Sequence, residues 1–230
     1  MWATVDLVIF GWPCQDVSRA NVYGKGLLGS RSGLFFYAAR IWWAVRRANP
    51  AAVLFAECVA RWNKLLHYKF AATVLEVQPV VVCSGGHSYC RRERSFWLSY
   101  GVGDIPRCSA DANDILDEGR RAVDKHGKHV KKLATLMVHR SSWNTKNPVW
   151  DEGKQTFDDL RIHEAEKAME MPVGHTARGP RGEPIPLEER FKMVGNAFNV
   201  HTVASLLAQG RQHICKNVLM NLKRQRDDQQ

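Results

Sequence analysis

The first hundred residues alternate short apolar runs with stretches of helical periodicity, and few architectures accept that order. Val5-Asp6-Leu7-Val8-Ile9-Phe10 is nearly continuous apolar sequence ended by Gly11 and Pro13, which predicts a strand buried on both faces of a parallel sheet. From about Ser32 to Ala48, residues Leu34, Ala38, Ile41, Trp42 and Val45 recur at helical spacing. Ser32 suits the amino-terminal cap, Arg46 and Arg47 suit the negative end, and Pro50 blocks continuation. Ala52 to Ala56 then reads as a second buried strand, completing a right-handed crossover. A further helix at about Trp62 to Leu75, a strand at Val80 to Cys83 and another around Ser95 to Tyr100 make the class α/β.

Length and composition bound what this pattern can belong to. The chain has 230 residues with 33 Lys and Arg against 23 Asp and Glu, a formal charge of +10; its length suits one domain or one domain with a small appendage. With 45% hydrophobic and 24% charged residues, a mainly disordered chain is excluded. No apolar run approaches the roughly 20 residues of a membrane-spanning helix, and the opening residues have no basic-then-apolar leader pattern. The six cysteines are irregularly spaced without a Cys-x-x-Cys pair, as expected for thiols in a reducing compartment. The histidines form no ligand cluster; His126-Gly127-Lys128-His129 lies among cations, so no metal is expected.

The texture changes near Gly103. Residues 119–146 hold Arg120, Arg121, Lys125, Lys128, Lys131, Lys132, Arg140 and Lys146 against Asp124 alone, whereas 151–171 carry seven acids and three bases. The basic block suits phosphate neutralisation, with a solvated cationic loop as the plain alternative. A loop at Gly179 to Pro186 leads to a helical pattern from about Phe198 to Leu207, and the basic tail predicts a short amphipathic helix on Ile214, Val218 and Leu222. The expected divisions are 1–103, 104–158, 159–210 and 211–230.

Cys14 is the sharpest chemical feature. Gly11-Trp12-Pro13-Cys14-Gln15 lies just past the carboxyl end of a predicted parallel strand, where open α/β sheets place their sites. Glu57 lies at the corresponding end of the next strand, so a thiol and a carboxyl are expected in one crevice. The plain alternatives are a core cysteine and a helix-capping glutamate. Gly24-Lys25-Gly26-Leu27-Leu28-Gly29 matches the dinucleotide fingerprint, but it does not immediately follow a strand and lacks the acid about 20 residues beyond, so that reading is set aside.

Pro13-Cys14-Gln15-x-x-Ser18 resembles the catalytic block of DNA cytosine-5 methyltransferases, and Glu57-Cys58-Val59 resembles their Glu-Asn-Val block. Cys90-Arg91-Arg92-Glu93-Arg94 is similar to their Gln-x-Arg-x-Arg block, Arg161 to Pro172 to the penultimate block, and Gly195-Asn196-Ala197-Phe198-Asn199-Val200 to the closing one. The order and spacing agree over residues 5–207, and Phe96-Trp97 most resembles the de novo eukaryotic branch.

The resemblance implies a partial Rossmann-like methyltransferase sheet with a small basic target-recognition segment. It implies Cys14 as the nucleophile, with Glu57, Arg94 and Arg92 at the base, and S-adenosylmethionine as cofactor touching Asn196 and Phe198. DNA is the implied partner, met by Gln15, Ser18, Arg19, Lys25 and Arg31 on a mobile glycine-hinged loop and by Arg140, Ser141 and Asn144 in the basic block. Nuclear location follows in a eukaryote, cytoplasmic otherwise. Transfer RNA as substrate, or a noncatalytic DNA-binding module of the same fold, are the alternatives. Cys58 stands where the family has Asn, and Cys90 where it has Gln. The family's Phe-x-Gly-x-Gly turn, its acidic ribose contact and three strands precede the strand that begins here. The expectation is therefore a chain lacking the amino-terminal part of the cofactor site and needing a complementing partner.

Overall fold

The structure, a computed structural model, describes residues 2–138 and 147–227. The chain divides into two compact units: Met1–Val82, Glu93–Gly103 and Leu207–Gln230 form the first, and Cys83–Arg92 with Asp104–Leu206 the second. Among the described residues no helix is long and apolar enough to cross a membrane.

The first unit is built on strands β1 (Leu7–Gly11), β2 (Val53–Val59), β3 (Pro79–Cys83) and β4 (Glu93–Leu98), with helices α1 (Leu34–Ala48) and α2 (Leu65–Leu75) in the connections. Sheet order is β1-β2-β4-β3. β1 and β2 run parallel, Leu7 opposite Val53 and Gly11 opposite Glu57. β4 runs antiparallel to β2, with Phe96 opposite Glu57 and Arg94 opposite Val59. The sheet is therefore mixed rather than parallel throughout. Residues 84–92 between β3 and β4 are fewer than the dozen or so a parallel crossover requires.

β2 is internal and buried along nearly its whole length, as its apolar run predicts. β1 departs from expectation: it is an edge strand, and while Val8 is 9% exposed, Ile9 is 48% exposed. Alternation along the strand turns Val8 toward the helices and Ile9 to the other face, so one face of β1 stays open. The core joins Leu54, Ala56 and Trp97 of the sheet to Phe35, Trp42 and Leu75 of the helices. Trp12 sits in its middle, its ring centroid 5.0 Å from those of both Phe35 and Trp97 and 6.0 Å from that of Trp62. The residue two positions before Cys14 is thus anchored by packing.

The second unit carries the antiparallel sheet β5 (Arg120–Ala122), β6 (Val149–Asp151) and β7 (Thr156–Asp158), with helices α3 (Ile162–Ala168) and α4 (Leu187–Asn196). Its core joins Ala122, Leu133 and Val149 to Ala165, Met169, Phe191 and Val194. Residues 159–206 consequently group with 104–158. The chain ends in α5 (Val200–Asp227). The tail expected as a separate short helix continues the preceding one, because no Pro or Gly-based stop interrupts residues 200–227 and Gly210 alone does not break the hydrogen-bond ladder.

Candidate active site

β1 ends at Gly11, and the chain passes through buried Trp12 and half-buried Pro13 to half-buried Cys14. The Cys14 carbonyl accepts the N–H groups of Val17 at 3.1 Å and Ser18 at 2.8 Å, so a tight turn follows the thiol. Gln15 contributes its carbonyl to Asn21 Nδ2 at 2.9 Å, and Ser18 Oγ accepts the Ala20 N–H at 3.3 Å. These two expected nucleic-acid contacts shape the loop that leaves Cys14.

Glu57 is no helix cap. It lies within β2, opposite Gly11, and its Oε1 is 2.9 Å from Arg94 Nε of β4. The side chains are 10% and 15% exposed, so the pair is shielded and strengthened by weak screening. Arg94 Nη1 also donates to the Glu93 carbonyl at 2.7 Å, which fixes the guanidinium plane. Cys58, next along β2, is 1% exposed, and its Sγ–H points at the Trp12 carbonyl, 3.9 Å away. Burial pushes its thiol well above the ordinary value, with Glu57 and Cys14 raising it further and Arg94 opposing them. Cys14, Glu57, Cys58 and Arg94 therefore share one electrostatic neighbourhood in the first unit. None of the six cysteines is disulfide-bonded. A thiol that shares its electrostatic neighbourhood with a carboxylate held by a guanidinium has the groups needed to add to an electron-poor ring and steady its charge.

Arg92 differs from the expectation that paired it with Arg94. It is 4% exposed and donates to the carbonyls of Leu136 at 3.1 Å and Gly195 at 3.0 Å, all within the second unit. Its guanidinium satisfies two backbone carbonyls of its own unit, so these contacts are structural. Cys90 is likewise structural: it is fully buried, with Sγ 3.4 Å from the Ala168 carbonyl.

The glycine-rich loop is closely packed against the segment that leads into α2. Gly26 has φ +65°, and a Cβ there would lie 2.0 Å from His67 Nδ1, the atom that accepts the Leu27 N–H at 3.0 Å. Asn63 Nδ2 donates to the carbonyls of Asp16 and Asn21, each at 2.9 Å. Glycine is needed here for close approach. Arg19, Lys25 and Arg31 project exposed from this loop. Asp16, Asn63 and His67 escaped sequence reasoning; an Asp beside a Pro-Cys-Gln turn was the available signal for the first, and none marked the others.

In the second unit, Asn196 ends α4 exposed and Phe198 is 36% exposed. Two of the cations in the basic block are paired rather than free. Arg120, with a side chain only 1% exposed, pairs with Asp151 at 3.1 Å, Asp158 at 2.8 Å and Glu164 at 2.8 Å, while Arg121 pairs with Glu152 at 3.0 Å. The acids of the following segment fold back onto the bases. Lys132 Nζ meets the Ser88 carbonyl at 2.7 Å, and Lys125, Lys128 and Lys131 stay exposed. Arg140, Ser141 and Asn144 lie outside the described residues. Asp117, His163 and Glu164 bring ligand atoms within 4.8 Å of one another, but Arg161 and Arg120 already neutralise the two carboxylates.

No model of a known protein family matches the sequence. Solved structures do match. The Entamoeba histolytica methyltransferase EhMeth superposes with TM-score 0.56 at 12% identity, covering 93% of this chain and 78% of that one. A mutant of Spodoptera frugiperda DNMT2 gives 0.58 at 13% identity, covering 90% and 79%, and Schizosaccharomyces pombe Dnmt2 methyltransferase gives 0.60 at 11%, covering 90% and 78%. At such identities the likeness is one of architecture, and it makes the fold of this chain the mixed α/β, Rossmann-like fold of those methyltransferases.

Proposed function

We propose that this chain is a nucleic-acid cytosine-5 methyltransferase acting on DNA, with Cys14 as the nucleophile. The observation that carries the reading is the Cys14, Glu57 and Arg94 cluster at the ends of β1 and β2 and on β4, within a methyltransferase-like fold. Carbon 5 of cytosine is a poor nucleophile. Addition of the Cys14 thiolate to carbon 6 turns the ring into an enamine that can accept a methyl group at carbon 5. Glu57 hydrogen-bonds N3 and the exocyclic amine, steadying the charge that builds there, and Arg94 holds Glu57 and faces the base carbonyl. Loss of the carbon-5 proton then expels Cys14. The base leaves its stack first, since a stacked ring offers neither face. Exposed Arg19, Lys25 and Arg31 meet phosphates on the way in.

The methyl donor fits only in part. Exposed Asn196 and Phe198 offer an amide and an aromatic ring, groups suited to an adenosyl moiety. When bound, S-adenosylmethionine supplies a methyl group on a sulfonium. The open edge of β1, with Ile9 48% exposed, supports a complementing segment that adds a strand there and brings the remaining donor contacts.

A covalent trap tests the reading. Duplex DNA containing 5-fluorocytosine, with S-adenosylmethionine and a supplied amino-terminal methyltransferase half, gives an adduct resistant to denaturant that Cys14→Ser abolishes. Absence of adduct with every complementing half overturns it. Structured RNA in competition decides between DNA and transfer RNA as substrate. A noncatalytic binding module instead holds DNA with steep salt dependence and no response to Cys14→Ser.

A further inference from the structure

We propose that Ser32 is a positioning residue for Cys14, a buried hydroxyl that ties together the peptide units on either side of the nucleophile. The proposal rests on the reading of Cys14 given above. Ser32 precedes α1 and suits its cap by sequence, yet the cap position is taken by Gly33, which makes no side-chain bond. Ser32 is fully buried instead. Its Oγ donates to the Pro13 carbonyl at 2.6 Å and accepts the Asp16 N–H at 3.1 Å. One hydroxyl thus spends its donor and an acceptor lobe on the residue before Cys14 and on the residue two after it, which leaves the rotor no other orientation.

The contact is reciprocal. Asp16 Oδ2 accepts the N–H groups of Arg31 and Ser32, each at 3.0 Å, so the loop that leaves Cys14 is closed at its base by two short side chains. Gly29 completes the closure: a Cβ there would lie 2.2 Å from Asp16 Cγ, so any larger residue would push the carboxylate off these bonds. With Trp12 O facing Cys58, Pro13 O held by Ser32 and Cys14 O held by Val17 and Ser18, every carbonyl of the nucleophile turn has a partner. A turn so accounted for fixes the backbone that carries the thiol, and with it the direction of the Cα–Cβ bond, which an attack geometry demands. The last glycine of the fingerprint-like motif therefore serves Cys14 at a distance rather than a dinucleotide.

The test compares the whole chain with its Ser32→Ala and Ser32→Cys variants. The rate of Cys14 alkylation by iodoacetamide is followed by mass spectrometry across pH, and adduct formation on 5-fluorocytosine DNA is followed in parallel with the complementing half. Loosening the turn is expected to raise Cys14 alkylation several-fold relative to exposed Cys83 and to shift its pH profile. Buried Cys58 and Cys90 stay protected, and adduct formation falls by about 10- to 100-fold. Ser32→Thr, which keeps the hydroxyl, restores both. If Ser32→Ala exposes Cys58 and Cys90, showing that the fold is lost, Ser32→Cys carries the comparison, because it keeps the volume and weakens both bonds. A Cys14 alkylation profile unchanged in a variant whose Cys58 and Cys90 remain protected overturns the proposal. If the wild-type chain forms no adduct, the functional reading fails while the alkylation comparison still judges Ser32.

Discussion

Arg94 Nε lies 2.9 Å from Glu57 Oε1 across neighbouring strands of the first unit's sheet, with both side chains shielded from water. The pair holds a carboxylate beside the Cys14 turn in a single orientation. On the proposed mechanism Glu57→Gln removes the charge that steadies the ring, and it is expected to lower adduct formation by about 10²- to 10⁴-fold. Arg94→Ala frees the carboxylate and is expected to act in the same direction. Cys14 remains available to iodoacetamide in both variants. A rapid-quench trap on 5-fluorocytosine DNA reads the first effect and peptide mapping the second; wild-type adduct rates in Glu57→Gln would remove Glu57 from the mechanism.

Arg120 is the keystone of the second unit. Its guanidinium serves three carboxylates, of which Glu164 is fully buried. Removing one partner of a buried ionic set leaves uncompensated charge, so Arg120→Ala is expected to cost about 3–5 kcal/mol. Arg121→Ala, whose pair with Glu152 is half-exposed, is expected to cost under about 1 kcal/mol. Urea unfolding followed by tryptophan fluorescence separates the two; equal effects would show that Arg120 is not an organising centre.

These charges mark where sequence reading stops. A sum over 119–146 reveals an excess of cations but not that Arg120 finds its acids 31 to 44 positions away, since pairing at that separation is a product of the fold. Buried β2 was legible because its run is apolar on both faces; β1 has a similar run, yet edge position comes from neighbours and not from its own residues. Cys14 and Glu57 could be aligned because both stand at strand ends. Ser32 was misread because a hydroxyl just ahead of a helix has the pattern of a cap, and only the closure of the loop shows the bonds to Pro13 and Asp16.

Acid should weaken the second unit. Burial alone would raise the Glu166 carboxyl, but hydrogen bonds from the Thr176 hydroxyl and N–H, from the Gly174 N–H and from Arg190 outweigh it and hold the group below its ordinary value. Asp117 is lowered as well, first by the hydrogen bond from His163. A carboxyl whose folded value is depressed adds stability above its unfolded value, near 4, and loses it as pH falls through the folded one. Melting temperatures between pH 7 and pH 2.5 should therefore decline below about pH 4, and Glu166→Gln should flatten part of that decline. An unchanged slope in Glu166→Gln would show that this carboxyl does not contribute.

Gly195 and Asn196 are adjacent, yet the first is buried and the second exposed. A Cβ on Gly195 would lie 2.5 Å from the Met137 carbonyl oxygen and 2.7 Å from the Val138 nitrogen, and backbone atoms cannot swing aside as a side chain can. The Gly195 carbonyl also receives Arg92 Nη2 at 3.0 Å, so a shift that relieves the clash strains a second contact. Gly195→Ala is accordingly expected to destabilise by about 1–3 kcal/mol, the usual range for overpacking. Asn196 is exposed, and Asn196→Ala should leave stability within about 0.5 kcal/mol while weakening S-adenosylmethionine binding in the complemented protein. Calorimetric melting together with titration of the donor tells the two apart. A destabilised Asn196→Ala with donor affinity intact would assign that side chain to structure and leave Phe198 as the donor contact in this block.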